Sequence, residues 1–141
     1  MSFGQINPIV GDVEYNTDKI IDVIKKNPNA DIIVFPEMSL VGYPLMDHIL
    51  DPLMFKKNLN SIERLKTINS KSTIIVGTFT CPSEISNNFH PYYNSAVIIK
   101  EKEIIYTENK RLLPNYDIFN ERRYFSFDNK FKPVKIKDVK V

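Results

Sequence analysis

The stretch Asp31-Ile32-Ile33-Val34-Phe35-Pro36-Glu37 decides the fold. Four consecutive apolar residues without alternation predict a short strand covered on both faces, with Pro36-Glu37 at its carboxyl end. Upstream, Phe3 to Ile6 reads as a short strand, and Asn7-Pro8 and Gly11-Asp12 mark a turn. From about Tyr15 to Lys26 the pattern is helical. Ile20, Val23 and Ile24 separate from Lys19, Asp22 and Lys26, with Asp12 or Asn16 as candidate cap and Pro28-Asn29 as the stop. Downstream, Gly42-Tyr43-Pro44 forces a loop. A helix is expected from about Pro52 to Asn69, with Pro52 in its first turn and Leu53, Leu59, Ile62 and Leu65 on one side. Thr73 to Phe79 is a second buried strand, a neighbour of the first. After a loop from Cys81-Pro82 to Pro91, Ser95 to Ile99 and Ile104 to Thr107 form a hairpin around Glu101-Lys102. A polar, proline-containing stretch follows, from Lys110 to Phe125. The order β-α-β-α-β, then consecutive strands, predicts an α/β layered fold with a partly parallel sheet.

The 141 residues suffice for one domain with a hydrophobic core, and 43% hydrophobic and 26% charged residues are ordinary for a globular protein. No internal repeat, low-complexity segment or linker divides the chain. The formal charge of +2 is too small, and too evenly spread, to argue for a nucleic-acid partner. In the most basic stretch, Lys130 to Lys140, Val134 to Lys137 alternates like a strand with one solvated face. The single cysteine, Cys81, excludes an internal disulfide and a cysteine-based metal site, and His48 and His90 lack ligand spacing. The N-terminus has no signal-peptide pattern, and no apolar run approaches the roughly 20 residues of a membrane span. A cytoplasmic protein without a membrane partner is the expectation.

Three residues are candidates for chemistry. Glu37 follows a buried strand, where ligands of open α/β sheets gather, and a carboxylate held there suits a general base; the alternative is a solvated glutamate at the start of a loop. Lys110 also follows a strand, and a lysine beside a carboxylate can hold an oxyanion; the alternative is a surface lysine. Glu121 lies in Asn120-Glu121-Arg122-Arg123, a setting equally suited to a structural ion pair. Cys81 has no histidine or basic cluster beside it to stabilise a thiolate, and is read as incidental.

Taken together, these stretches resemble the nitrilase (carbon-nitrogen hydrolase) superfamily, and within it the amidase domain of glutamine-dependent NAD synthetases. The resemblance runs through Gln5-Ile6-Asn7-Pro8, Val10-Gly11-Asp12, Asn16 and Lys19-Ile20. It continues in Phe35-Pro36-Glu37-Met38-Ser39-Leu40, Gly42-Tyr43-Pro44, Asp47 and Asn94-Ser95-Ala96. Lys110 to Tyr116, with Phe119, Glu121 and Arg123-Tyr124-Phe125, carries its narrowest part. The Pro-Glu element is common to the superfamily; Leu-Pro-Asn-Tyr and Glu-x-Arg-Tyr-Phe point to the NAD synthetase branch.

The resemblance implies a fold, namely the first half of a four-layer α-β-β-α sandwich, and it implies roles. Glu37 matches the general base, Lys110 the lysine that stabilises the tetrahedral intermediate, and Glu121 a second glutamate near it. Tyr116 matches a tyrosine that contacts bound glutamine, and Tyr43 lies in the loop lining the same pocket. The implied chemistry is thiol attack on the glutamine side-chain amide, thioester formation with release of ammonia, and hydrolysis to glutamate. The family nucleophile, a Cys followed by Glu and Asp, belongs to a strand continuing from Val139-Lys140-Val141. The expectation is therefore a partial domain, residues 1 to 141, that stops before its nucleophile and lacks the synthetase domain. ATP and deamido-NAD would belong to that domain, and no cofactor is expected here. Ser2, Gly4 and Asn120 depart from the usual pattern. An enzyme fragment inactive alone, a split enzyme completed in trans by a complementary C-terminal fragment, a binding or scaffold module and a decayed gene product are the competing expectations, and a homo-oligomer is the other expected association.

Overall fold

The computed structural model describes residues 1–81, 92–129, 132–136 and 139–140. The elements run β1 (Ser2–Phe3), α1 (Val13–Lys26), β2 (Ile32–Val34), a 3-10 helix (Met46–Leu50), α2 (Pro52–Lys66), β3 (Thr73–Thr80), β4 (Tyr93–Lys100) and β5 (Glu103–Asn109). A 3-10 turn at Glu121–Arg123 and a small ribbon of β6 (Lys135–Ile136) and β7 (Val139–Lys140) complete them. Five strands form one sheet in sequence order. β1, β2 and β3 are parallel, and β4 and β5 join antiparallel. The expected loop up to Pro91 falls outside the described residues, as do His90, Lys130 and Lys137.

The two parallel connections leave α1 and α2 packed against each other on one face of the sheet. There Val13, Ile20, Ile24, Ile62 and Leu65 meet Ile33, Ile74, Val76, Val97 and Ile99 in one core. Of the two candidate caps, Asp12 takes the α1 N-terminus, accepting from the Tyr15 N–H at 3.2 Å. Asn16 does something else. It is fully buried, accepts the Ile9 N–H at 2.7 Å and donates to the carbonyls of Ile9 at 2.8 Å and Leu40 at 3.3 Å. It thereby ties the turn after β1 to the loop after β2. Gly42, at φ +80°, sits against the backbone of Val10 in the same place, where a side chain has no room.

The expectation for the central strands needs correction in one respect. β2 and β3 are neighbours and β3 is buried from Thr73 to Phe79 except at Ile75, but the burial of β2 alternates. Ile33, Phe35, Ile74 and Val76 are buried, while Ile32, Val34 and Ile75 are only half-buried. One helical layer covers one face. On the other face Phe3, Val34, Ile75 and Ile98 stand side by side across four strands, and Phe3 is 74% exposed. The sheet and its two helices are the first half of the α-β-β-α arrangement.

The expected apolar face of α2 is also rotated. Leu53 and Leu59 are exposed, and Met54, Asn58, Ser61, Ile62 and Leu65 are buried. Asn58 turns the helix: its amide donates to the Phe79 carbonyl at 2.8 Å and accepts from the Thr78 hydroxyl, so a polar residue belongs inside. The helix ends three residues earlier than expected, and β1 is shorter than expected, although the Gly4 N–H still reaches the Val34 carbonyl at 2.8 Å. The β4–β5 turn falls at Glu101 and Lys102, both with positive φ (51° and 69°), the geometry whose twist matches a tight hairpin.

Candidate active site

Glu37 is placed by the end of β2. The Phe35 N–H still joins the ladder, donating to the Ile75 carbonyl at 2.9 Å, and Pro36, with no N–H, ends it. The chain then folds back over β3. The Leu40 N–H donates to the Gly77 carbonyl at 3.1 Å, and Met38 adopts a left-handed φ of 51°. Only a glycine fits below this turn. A Cβ at Gly77 would touch the Pro36 carbonyl oxygen and lie 2.6 Å from the Met38 nitrogen and 2.7 Å from the Glu37 Cα.

Lys110 leaves the end of β5, its N–H donating to the Asn94 carbonyl at 2.8 Å. The polar stretch beyond it is a loop that closes on itself. The Phe119 N–H donates to the Tyr116 carbonyl at 2.9 Å and the Glu121 N–H to the Pro114 carbonyl at 3.1 Å, which returns Glu121 to Lys110. Lys110 Nζ donates to Glu37 Oε1 at 2.7 Å and to Glu121 Oε1 at 3.0 Å. Glu121 is 2% exposed, and its Oε1 also accepts the Tyr43 hydroxyl at 3.1 Å. Asn94 Nδ2 donates to Glu37 Oε1 at 2.6 Å. The three candidate residues thus meet at the carboxyl ends of the strands.

The charges explain one another. Burial alone pulls the Lys110 pKa down, but hydrogen bonds and attraction from Glu37 and Glu121 outweigh it and leave the ammonium above its ordinary value. Burial, then the charge of Glu121 and the hydrogen bond to it, and the charge of Glu37, push the Tyr43 phenol far up, so Tyr43 is a fixed donor at neutral pH. Lys110 and Tyr43 are therefore the groups that let a buried carboxylate exist at position 121.

Lys110 lies on an open groove of about 1250 Å³ shared with Arg111, Leu112, Tyr116, Arg122 and Phe127. Tyr116 is 70% exposed at that groove, its ring 5.7 Å from that of Phe119. Tyr43 is not on this groove. It lines a cavity of about 20 Å³ together with Met38, Ile49, Glu121 and Tyr124. Cys81 lines another groove, with Phe55, Leu59 and Asp128, and burial pushes its thiol up, away from the thiolate a nucleophile requires. Among the described residues no group of three or more His, Cys, Asp or Glu is placed to hold a metal ion, and no helix is long and apolar enough to cross a membrane.

Three participants escaped functional reading from sequence: Asn94, Gly77 and the hydroxyl of Tyr43. Asn94 carried a signal, since Asn is depleted in strands and this one begins a run of apolar strand residues. Outside this cluster, Asp47 accepts the Tyr124 hydroxyl at 2.8 Å and lies 3.5 Å from Arg123, anchoring the returning loop.

Two carboxylates, one buried and one half-exposed, around a strand-end lysine on a one-sided α/β half-sandwich define a class, and residues 2–141 match the model of the carbon-nitrogen hydrolase family; the chain belongs to that family. Among its members, the glutamine-dependent NAD(+) synthetase of Acinetobacter baylyi is 34% identical over 128 residues, which cover 89% of this chain and 23% of that protein. The corresponding protein of Thermotoga maritima is 32% identical over 145 residues, covering all of this chain and 24% of its own length. The solved structure of glutamine-dependent NAD+ synthetase from Acinetobacter baumannii, in complex with ADP, superimposes with a TM-score of 0.87 at 30% identity. It covers 96% of this chain and 25% of that one. The chain spans about a quarter of the length of these relatives.

Proposed function

We propose that this chain contributes the base, the cation and their support to a glutaminase site that feeds ammonia to NAD synthesis. The observation that carries this reading is Lys110 Nζ held between Glu37 and Glu121 at 2.7 and 3.0 Å. In the proposed reaction Glu37 takes the proton of an attacking thiol. The sulfur adds to the side-chain amide carbon of glutamine, and the oxyanion forms beside Lys110. Glu37 returns the proton to the leaving nitrogen, ammonia departs, and a thioester remains. Water then attacks with Glu37 as base, and glutamate leaves. Glu121, sealed behind Lys110, keeps the ammonium charged and aimed. Tyr116, at the groove, contacts the bound glutamine; Tyr43 supports Glu121 rather than the substrate.

Cys81 stands on a different groove, so the attacking thiol is supplied by a further segment, in the same polypeptide or in a separate one. The partly exposed row Phe3, Val34, Ile75 and the open groove beside Lys110 favour a complementary segment as partner, because an apolar sheet face of this kind is stabilised by a second layer. The chemistry asks for no cofactor. On this reading the protein works in the cytoplasm, where a thiol nucleophile stays reduced. Hydroxylamine tests the covalent route. With glutamine and the thiol-bearing segment present, γ-glutamyl hydroxamate should accumulate, and Lys110→Met should abolish it. Ammonia release without any hydroxamate would count against a thioester.

A further inference from the structure

Both hydrogen bonds that Glu37 receives end on one oxygen. Asn94 Nδ2 at 2.6 Å and Lys110 Nζ at 2.7 Å both donate to Oε1. The Glu37 side chain is about half exposed, and among the described residues no hydrogen bond reaches its second oxygen. Asn94 is 4% exposed and lies in β4 opposite Phe79. It is fixed twice, since its own carbonyl accepts the Lys110 N–H at 2.8 Å. One buried residue therefore sets the backbone position of the lysine and the orientation of the glutamate.

From this geometry we infer that Asn94 is a positioning residue that pins Oε1 of Glu37 and so dedicates Oε2 to proton transfer. The inference deepens the glutaminase reading and rests on it for its catalytic meaning; the pinning itself does not need it. A carboxylate oxygen that accepts two short bonds is the less basic of the pair, and the free oxygen is the one a thiol or water proton reaches. An amide at position 94 reaches the carboxylate as a donor. Aspartate has the same shape but offers only acceptors. It would bring two carboxylates into contact, and the two cannot both ionise at little cost.

The test is a carbon NMR titration of the Glu37 carboxyl in the 141-residue chain and in three variants. Asn94→Asp should leave one midpoint of the carboxylate pair about one pH unit or more above that of Glu37 in the unaltered chain. Asn94→Leu should shift the Glu37 carboxyl carbon signal at neutral pH, because Oε1 loses one of its two donors. Ser95→Ala is the control: Ser95 bonds Asn109 and Thr80 rather than Glu37, so it disturbs the adjacent network and should leave the midpoint in place. Amide dispersion in the same spectra reports folding, and if Asn94→Leu does not fold, the near-isosteric Asn94→Asp decides alone. A Glu37 midpoint unmoved in folded Asn94→Asp, or moved equally by Ser95→Ala, would overturn the inference. In an assembly that releases ammonia, the acid limb of the pH profile of kcat/KM should move up with the same variant. If nothing releases ammonia, the glutaminase reading fails while the titration still decides the role of Asn94.

Discussion

Lys110 Nζ and Glu37 Oε1 lie 2.7 Å apart, although 73 positions separate the two residues in the chain. The contact depends on β3 and β4 being adjacent and on Gly77 letting the Glu37 turn lie flat on the sheet. It is partly exposed and screened, so its value to stability is small. The deeper bond, from Lys110 to Glu121, is different.

Lys110→Met leaves Glu121 buried with Tyr43 as its only donor. The expected cost is roughly 2 kcal/mol or more, because an uncompensated buried charge is what makes a broken pair expensive. Adding Glu121→Gln should recover part of that loss, and thermal unfolding of the two single variants and the double variant measures it. A Lys26→Ala change, which breaks an exposed i,i+4 pair with Asp22, should cost no more than about 0.5 kcal/mol. Equal losses for the two lysines would mean that Glu121 is not held by Lys110.

The same cluster dictates an alkaline limit. Lys110 and Tyr43 both have pKa values raised above their ordinary 10.5 and 10.0. The unfolded chain therefore loses these protons first. Their contribution to stability is complete below about pH 10 and falls as the pH rises toward the folded-state values. Stability followed from pH 9 to 11 should decline, and the decline should flatten in Tyr43→Phe and in Lys110→Met. A profile unchanged in both variants would assign the alkaline loss to other groups.

Gly77→Ala should be strongly damaging. The atoms it would meet are backbone atoms of Pro36, Glu37 and Met38, which cannot rotate away. Overpacking of this kind costs about 1–3 kcal/mol, and Glu37 should lift off Lys110. The nitrogen chemical shift of the Lys110 ammonium reports the separation and denaturant unfolding the cost; an unchanged shift would show that the turn tolerates the methyl.

Asn16→Ala should destabilise the chain by roughly 2 kcal/mol, since it strands the Ile9 N–H and leaves the Ile9 and Leu40 carbonyls short of a donor. Asn58→Ala should act in the same way through Phe79 and Thr78. If urea unfolding shows less than 0.5 kcal/mol for either, water replaces these bonds readily.

These asparagines also mark how far the sequence could be read. The apolar run at Ile32 to Phe35, the periodicity ending at Lys26 and the Glu101-Lys102 turn each announce their element, because backbone periodicity is local. The side of α2 that faces inward was not legible. Asn58 reads as a solvent residue until Phe79 and Thr78 are known to lie above it. The burial of β2 was overestimated for a related reason: an apolar residue such as Val34 records that its face is meant to be covered, and not what covers it. Glu37, Lys110 and Glu121 stood out one by one only weakly, and the family resemblance joined them. Asn94 and the Tyr43 hydroxyl act through partners 57 and 78 positions away, distances at which no spacing rule operates.

Ammonia release from glutamine tests the proposed chemistry most directly. Three samples are compared: the 141-residue chain alone, the chain carrying Cys81→Ala, and the chain mixed with a segment bearing the Cys-Glu-Asp strand. On the proposed reading, in which the thiol comes from a further segment, the expected result is no release above background from the first two, because a triad without its nucleophile loses on the order of a millionfold in turnover. Release is expected in the mixture and should disappear there with Glu37→Gln. Turnover by the chain alone that vanishes in Cys81→Ala would contradict the site described around Lys110 and move the nucleophile to the groove of Cys81.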